Sequence, residues 1–100
     1  MDDLTKIIKD RTRREILLYL HNRGKATYSD ILHDMKLSTG KLNYHLKVLE
    51  PFLSKENEYY KLNDKGNQLA EIILSLGDNK NSSEKYYRNS LLLFHLFSSL

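Results

Sequence analysis

Cysteine is absent from this 100-residue chain. That excludes disulfides, a thiolate zinc site and a cysteine nucleophile, and it fits a reducing compartment. Long apolar runs are missing too. The longest, Leu91 to Leu100, is interrupted by His95 and two serines and is well short of the roughly 20 residues that span a bilayer. No signal-peptide pattern follows Leu4, because Lys6, Lys9 and Arg11 break every apolar stretch there. There is no glycine-rich phosphate loop, no nucleophile motif and no paired-carboxylate pattern. His21, His33, His45 and His95 fall on four separate segments without ligand spacing. These absences argue against an enzyme, a membrane protein and a metal sensor. The expectation is a cytoplasmic protein with no cofactor and no metal.

What is present describes an ordinary globular protein, 40% apolar and 29% charged. A chain this short forms one domain that buries roughly 60–65% of its unfolded surface, enough for a core but not for a deep catalytic cleft. The net charge of +3 is unevenly spread. Residues 1–50 hold ten Lys/Arg against seven Asp/Glu, whereas residues 51–100 hold six of each. From Met35 to Leu49 there are Lys36, Lys41 and Lys47 and no acid at all. Such a stretch is either a solvated face or a surface for phosphates, where each neutralised phosphate releases counterions.

Hydrophobic spacing divides the first segment into two helices. Leu4, Ile7 and Ile8 share one face; Ile16, Leu17 and Leu20 share another that the first cannot reach without a break. Asp10 caps the second helix, which ends near Asn22 and Gly24. Arg11, Arg13 and Arg14 crowd its start, where the helix dipole disfavours cations, so an external anion there would account for them. Ala26-Thr27-Tyr28 reads as an extended link. Ser29 then caps a short helix with Ile31, Leu32 and Met35 facing inward. After about three residues Ser38 caps a third helix that runs to about Glu50, where Pro51 stops it.

Residues 52–62 change to a period of two and form a hairpin around Glu56-Asn57. Asn63 caps a fourth helix with Leu69, Ile72, Ile73 and Leu76 on one face, and Gly77 ends it. A polar loop from Asp78 to Ser83 leads to a last helix from about Glu84. The order is helix, helix, helix-turn-helix, hairpin, helix, helix, the connectivity of a winged helix. The expected fold is mainly α with a small β-hairpin. Residues 1–77 make a winged helix-turn-helix domain, and 78–100 make a loop and a dimerisation helix.

Three motifs carry a family resemblance. Asp10-Arg11-Thr12-Arg13-Arg14-Glu15-Ile16-Leu17 resembles the opening of ArsR-like winged-helix regulators, with Arg11 where a proline is usual. Residues 37–49, from Leu37-Ser38-Thr39-Gly40 to Leu46-Lys47-Val48-Leu49, resemble their recognition helix. Tyr59-Tyr60-Lys61-Leu62-Asn63-Asp64-Lys65-Gly66 is similar to the strand and cap that leave the wing in ArsR- and MarR-like proteins. The Tyr44-His45-Leu46-Lys47 variant looks particularly like archaeal members. The resemblance covers residues 7–76. It implies a transcriptional regulator that binds double-stranded DNA as a homodimer. Winged helices also serve as protein-binding modules or nonspecific chromatin-like binders, and the fold alone does not choose among these.

On the third helix Leu42, Leu46 and Leu49 form the buried stripe. Gly40, Tyr44 and Lys47 cluster opposite, flanked by Lys41 and Asn43. That outer face would enter the major groove. Asn43 would pair with adenine N6 and N7, and Lys41 or Lys47 would reach guanine acceptors or phosphates. Tyr44 would meet a phosphate or a thymine methyl. Gly40 would let backbone approach DNA; at the helix start Ser38 is the cap, and Thr39 would in addition hold a phosphate beside the free N–H groups, which places both at the DNA surface. His45 is read as a partly buried packing residue. Lys55 and Lys61 flank an acidic hairpin tip, and at most one or the other would touch the DNA backbone; one of Tyr59 and Tyr60 belongs to the core. In the last helix, Tyr87, Leu91, Leu93, Phe94, Phe97 and Leu100 exceed what one core uses. They are the expected dimer interface, with burial within one chain as the alternative.

Overall fold

A computed structural model describes residues 4–77. The expected last helix, with its interface residues Tyr87 to Leu100, lies outside them. The elements are α1 (Leu4–Lys9), α2 (Arg11–Arg23), β1 (Ala26–Thr27), α3 (Tyr28–Met35), α4 (Thr39–Val48), a 3₁₀ turn (Glu50–Phe52), β2 (Leu53–Glu56), β3 (Tyr59–Leu62) and α5 (Asp64–Leu76). This is a winged helix-turn-helix: three helices lead through α4 directly into a hairpin, and a further helix follows.

Local caps set the boundaries. Asp10 accepts from the backbone N–H of Arg13, Ser38 from that of Lys41 and Asn63 from that of Gly66. Each satisfies an N–H group that a helix start leaves orphaned. Ser29, expected as the cap of α3, lies inside that helix. The cap is Thr27, whose hydroxyl accepts from the Asp30 N–H while the Asp30 carboxylate accepts from the Thr27 N–H. This reciprocal pair is stronger than a single serine bond, so the helix starts earlier. α4 stops at Val48, and Pro51 sits in the short 3₁₀ turn that carries the chain to β2.

The core joins every element. Ile16, Leu17 and Leu20 of α2 meet Ile31, Leu42, Leu49, Phe52 and Ile73, all essentially inaccessible to water. Each such side chain contributes roughly 1.5–3 kcal/mol of transfer free energy. Leu46 is buried with Leu42 and Leu49, as the stripe on the third helix requires. On α5 the inward face is Gly66, Leu69, Ala70 and Ile73, whereas Ile72 and Leu76 are exposed at 47% and 54%. The expected stripe was rotated by part of a turn because Gly66 decides the seat. A Cβ on Gly66 would collide with the Phe52 carbonyl oxygen, so glycine lets α5 approach the 3₁₀ turn along that line.

The sheet also differs from expectation. Ala26 and Thr27 are a strand rather than a link, pairing antiparallel with Tyr60 and Tyr59, so the order is β1-β3-β2. Within the hairpin Leu53 pairs with Leu62 and Glu56 with Tyr59. Asn57 takes the left-handed backbone at the tip, φ 58°, a conformation that asparagine tolerates better than most residues. Tyr60 packs against the core and Tyr59 is exposed.

Candidate nucleic-acid interface

The turn between α3 and α4 spans Lys36 to Ser38. Lys36 sits in the left-handed region, φ 56°, and its N–H returns to the carbonyls of His33 and Leu32. That reversal points α4 away from α3 and turns one side of α4 outward. A separate network pins α2 to α3: Tyr19 donates to Asp34 across 2.6 Å, and Arg23 donates to Tyr19, Asp34 and Asp30. Burial and the Asp34 carboxylate push the Tyr19 hydroxyl up to about 12, so it remains a donor.

Ser38, Thr39, Gly40, Lys41, Asn43, Tyr44 and Lys47 are all exposed on α4 and its cap. Among the described residues no carboxylate pairs with Lys41 or Lys47. Nothing lies within 4 Å of where a Cβ on Gly40 would stand, so the surface is open at that point. Tyr44 is 57% exposed.

The wing residues are divided. Lys55 and Tyr60 are cross-strand partners, with the Lys55 ammonium 5.0 Å from the Tyr60 ring centre. Both line a cleft of about 460 Å³ with Leu46, Lys47 and Glu50. The structure therefore brings Lys55 to the α4 surface. Lys61, half-buried, pairs with Ser54 and takes the opposite side of the pleat from Lys55. Sequence reasoning passed over Lys25 at the base of the wing, whose ammonium lies 4.5 Å from the Tyr59 ring centre.

Beneath this face lies an arrangement that no spacing rule indicated. Arg13 is buried and donates to the carbonyls of Lys6 and Ile7 and to Nδ1 of His45. Arg14 donates to the carbonyls of Ile8 and Lys9, and Arg11 pairs with Glu15. The external anion expected at these arginines is therefore unnecessary. Arg13 and Arg14 satisfy the free carbonyls at the end of α1, where the dipole favours cations. Beside them, burial works against ionisation of Asp10, but the Arg13 N–H and the Arg13 charge outweigh it and hold the carboxyl below 3.8.

His45 is buried at 4% exposure, more deeply than expected. Guanidinium only donates, so the facing Nδ1 carries a lone pair and the ring proton resides on Nε2. Burial depresses the imidazole below 6.5, aided by Arg13 and Lys41 and opposed by Asp10. Tyr44 meets the His45 ring edge-on at 5.2 Å, and Arg13 lies 6.0 Å from the Tyr44 ring centre. Asn43 is also held: its Oδ1 accepts from the Tyr28 hydroxyl at 2.7 Å. The signal that could have found Tyr28 is Thr27-x-x-Asp30, a capping box that makes Tyr28 the first residue of α3.

A family model described as a domain of unknown function, DUF7347, matches residues 1–73. The chain belongs to the DUF7347 family. The matched DUF7347 region runs from α1 through most of α5 and so includes the whole α4 surface. Over 65 residues, 59% of this chain, the sequence is 37% identical to the arsenical resistance operon repressor of Bacillus subtilis (strain 168). The chain spans 62% of the length of that curated relative. No solved structure matches. Among the described residues of this DUF7347 protein, no helix is long and apolar enough to cross a membrane, and no cluster of His, Asp or Glu is grouped to hold a metal ion.

Proposed function

We propose that this protein is a transcriptional regulator that binds double-stranded DNA sequence-specifically as a homodimer. One observation carries the reading. The outward side of α4 presents Gly40, Lys41, Asn43, Tyr44 and Lys47 together, exposed and without an acidic neighbour on that helix, over a fully buried leucine stripe. A helix of this kind offers the donors, cations and close backbone approach that major-groove reading requires. Ser38 and Thr39 stand at its start, where free N–H groups suit a phosphate. Lys55 approaches the flanking backbone from the wing, and Lys61 serves the other side of the hairpin. Similarity to a protein named as an operon repressor supports the same class.

The two-fold partner is a second copy of the chain, joined through Tyr87, Leu91, Leu93, Phe94, Phe97 and Leu100. The apolar content of residues 84–100 supports this. So does the exposed pair Ile72 and Leu76, near the end of α5 from which that segment continues. On this reading the protein acts in the cytoplasm as a regulator rather than as an enzyme.

Binding-site selection from random duplexes tests the reading. The expected result is enrichment of a palindrome whose half-sites lie about one helical turn apart. Recovery of unenriched DNA would reject specific recognition.

A further inference from the structure

The hydrogen bond from Tyr28 to Asn43 has a chemical consequence for what α4 reads. We propose that Tyr28 is a positioning residue that fixes the Asn43 amide with its NH2 outward, so that Asn43 selects guanine rather than adenine. The proposal rests on the DNA-reading role of α4 argued above.

Tyr28 is well placed to hold another side chain still. Its ring is half-buried and packs against the core, and its backbone opens α3 directly after β1. The preceding residue, Thr27, is fixed twice, by pairing with Tyr59 and by the reciprocal cap with Asp30. The hydroxyl therefore projects from a rigid base and reaches Oδ1 of Asn43 at 2.7 Å, across 15 residues of sequence.

An asparagine amide has two poles, a carbonyl that accepts and an NH2 that donates twice. Reading adenine uses both, since N6 donates and N7 accepts. Tyr28 engages the carbonyl pole. One lone pair of that oxygen remains, but the bond fixes the amide's orientation with the carbonyl turned toward Tyr28, so the pole presented to the groove is Nδ2, a donor. The base edge that presents acceptors side by side is guanine, through N7 and O6. Cytosine offers a donor there, and thymine a single acceptor beside a methyl group. The adenine pairing expected from sequence thus gives way to guanine once the hydroxyl is taken into account.

Site selection on the full-length wild type, Asn43→Ala and Tyr28→Phe tests this, with melting temperatures recorded for each. The wild type should select guanine at the position where Asn43→Ala loses its preference. Tyr28→Phe keeps the ring but frees the carbonyl. It should lower the guanine-over-adenine preference at that position by roughly 5- to 100-fold, the size of one good base contact, and leave other positions and random-duplex affinity unchanged. In the free protein, the Asn43 side-chain amide should gain mobility in Tyr28→Phe by NMR relaxation. Retention of the guanine preference in Tyr28→Phe overturns the proposal, even if the variant melts earlier, because a mere strut between α3 and α4 alters stability without altering base choice. Adenine at the Asn43 position of the wild type overturns it as well, and both of these results leave the groove reading standing. If Asn43→Ala changes no position, or the wild type prefers no duplex, the groove reading fails and the proposal fails with it.

Discussion

Arg13 on α2 donates to Nδ1 of His45 on α4 across 3.3 Å, inside the protein and 32 residues away in sequence. The bond requires a neutral imidazole. Protonation at Nδ1 would set two cationic donors against each other in a buried space, with Asp10 the nearby opposing charge.

Stability should therefore depend on pH through His45. Its folded pKa lies below the unfolded 6.5, so between those values the unfolded chain holds a proton that the fold does not. Stability should be full above 6.5, decline as pH falls through that window, and level off below the folded value. Urea unfolding from neutral pH to about pH 5 checks this, because the carboxylates titrate lower. His45→Gln should flatten the slope. A wild type equally stable across the window would show that the Arg13 contact is not what the imidazole senses.

Gly40→Ala should move stability and binding in opposite directions. The space around Gly40 is open, so alanine fits and the helix gains up to about 1 kcal/mol from propensity. The added methyl stands on the surface that would meet DNA and should weaken binding. Thermal melts and duplex titrations on the same samples decide it, and a stabilised variant with unchanged affinity would place DNA elsewhere.

Lys41→Ala and Lys47→Ala should each reduce the dependence of log K on log salt by about 0.9, the amount for one phosphate neutralised. The measurement is affinity for specific and random duplexes over a series of salt concentrations. Folding should change little, since exposed substitutions stay within about 0.5 kcal/mol. Slopes identical to wild type in both variants would mean that neither lysine meets a phosphate.

How much of this was legible depended on the distance over which each interaction acts. The caps at Asp10, Ser38 and Asn63 were readable because each bond closes within three residues. Leu42, Leu46 and Leu49 were readable because helical period alone groups them. β1 was not, since two residues carry no period and their partners lie beyond α4. The contacts of Arg13 with His45 and of Tyr28 with Asn43 depend on how helices cross, which no local pattern encodes. Ile72 and Leu76 illustrate a finer failure. Spacing reveals that α5 has an apolar stripe, but the close approach at Gly66 determines which part of it turns inward.

Assembly can be tested without DNA. Leu93→Glu and Phe97→Glu should give monomers in sedimentation velocity, while the wild type sediments as a dimer at micromolar concentration. A charge at either position costs the interface its apolar match without entering residues 4–77. A wild type that is monomeric under those conditions removes the homodimer from the proposal.

β1 gives the molecule one more property. Thr27 binds the hairpin through its backbone and starts α3 through its side chain, so no spare residue separates the wing from the helix-turn-helix. A hinge needs residues free to change their dihedral angles, and none is available at this junction. The hairpin base and the α3–α4 pair must therefore travel as one body. Within residues 4–77, encounter with a target then needs no rearrangement of wing against helices, so this junction should add no slower ordering step to association.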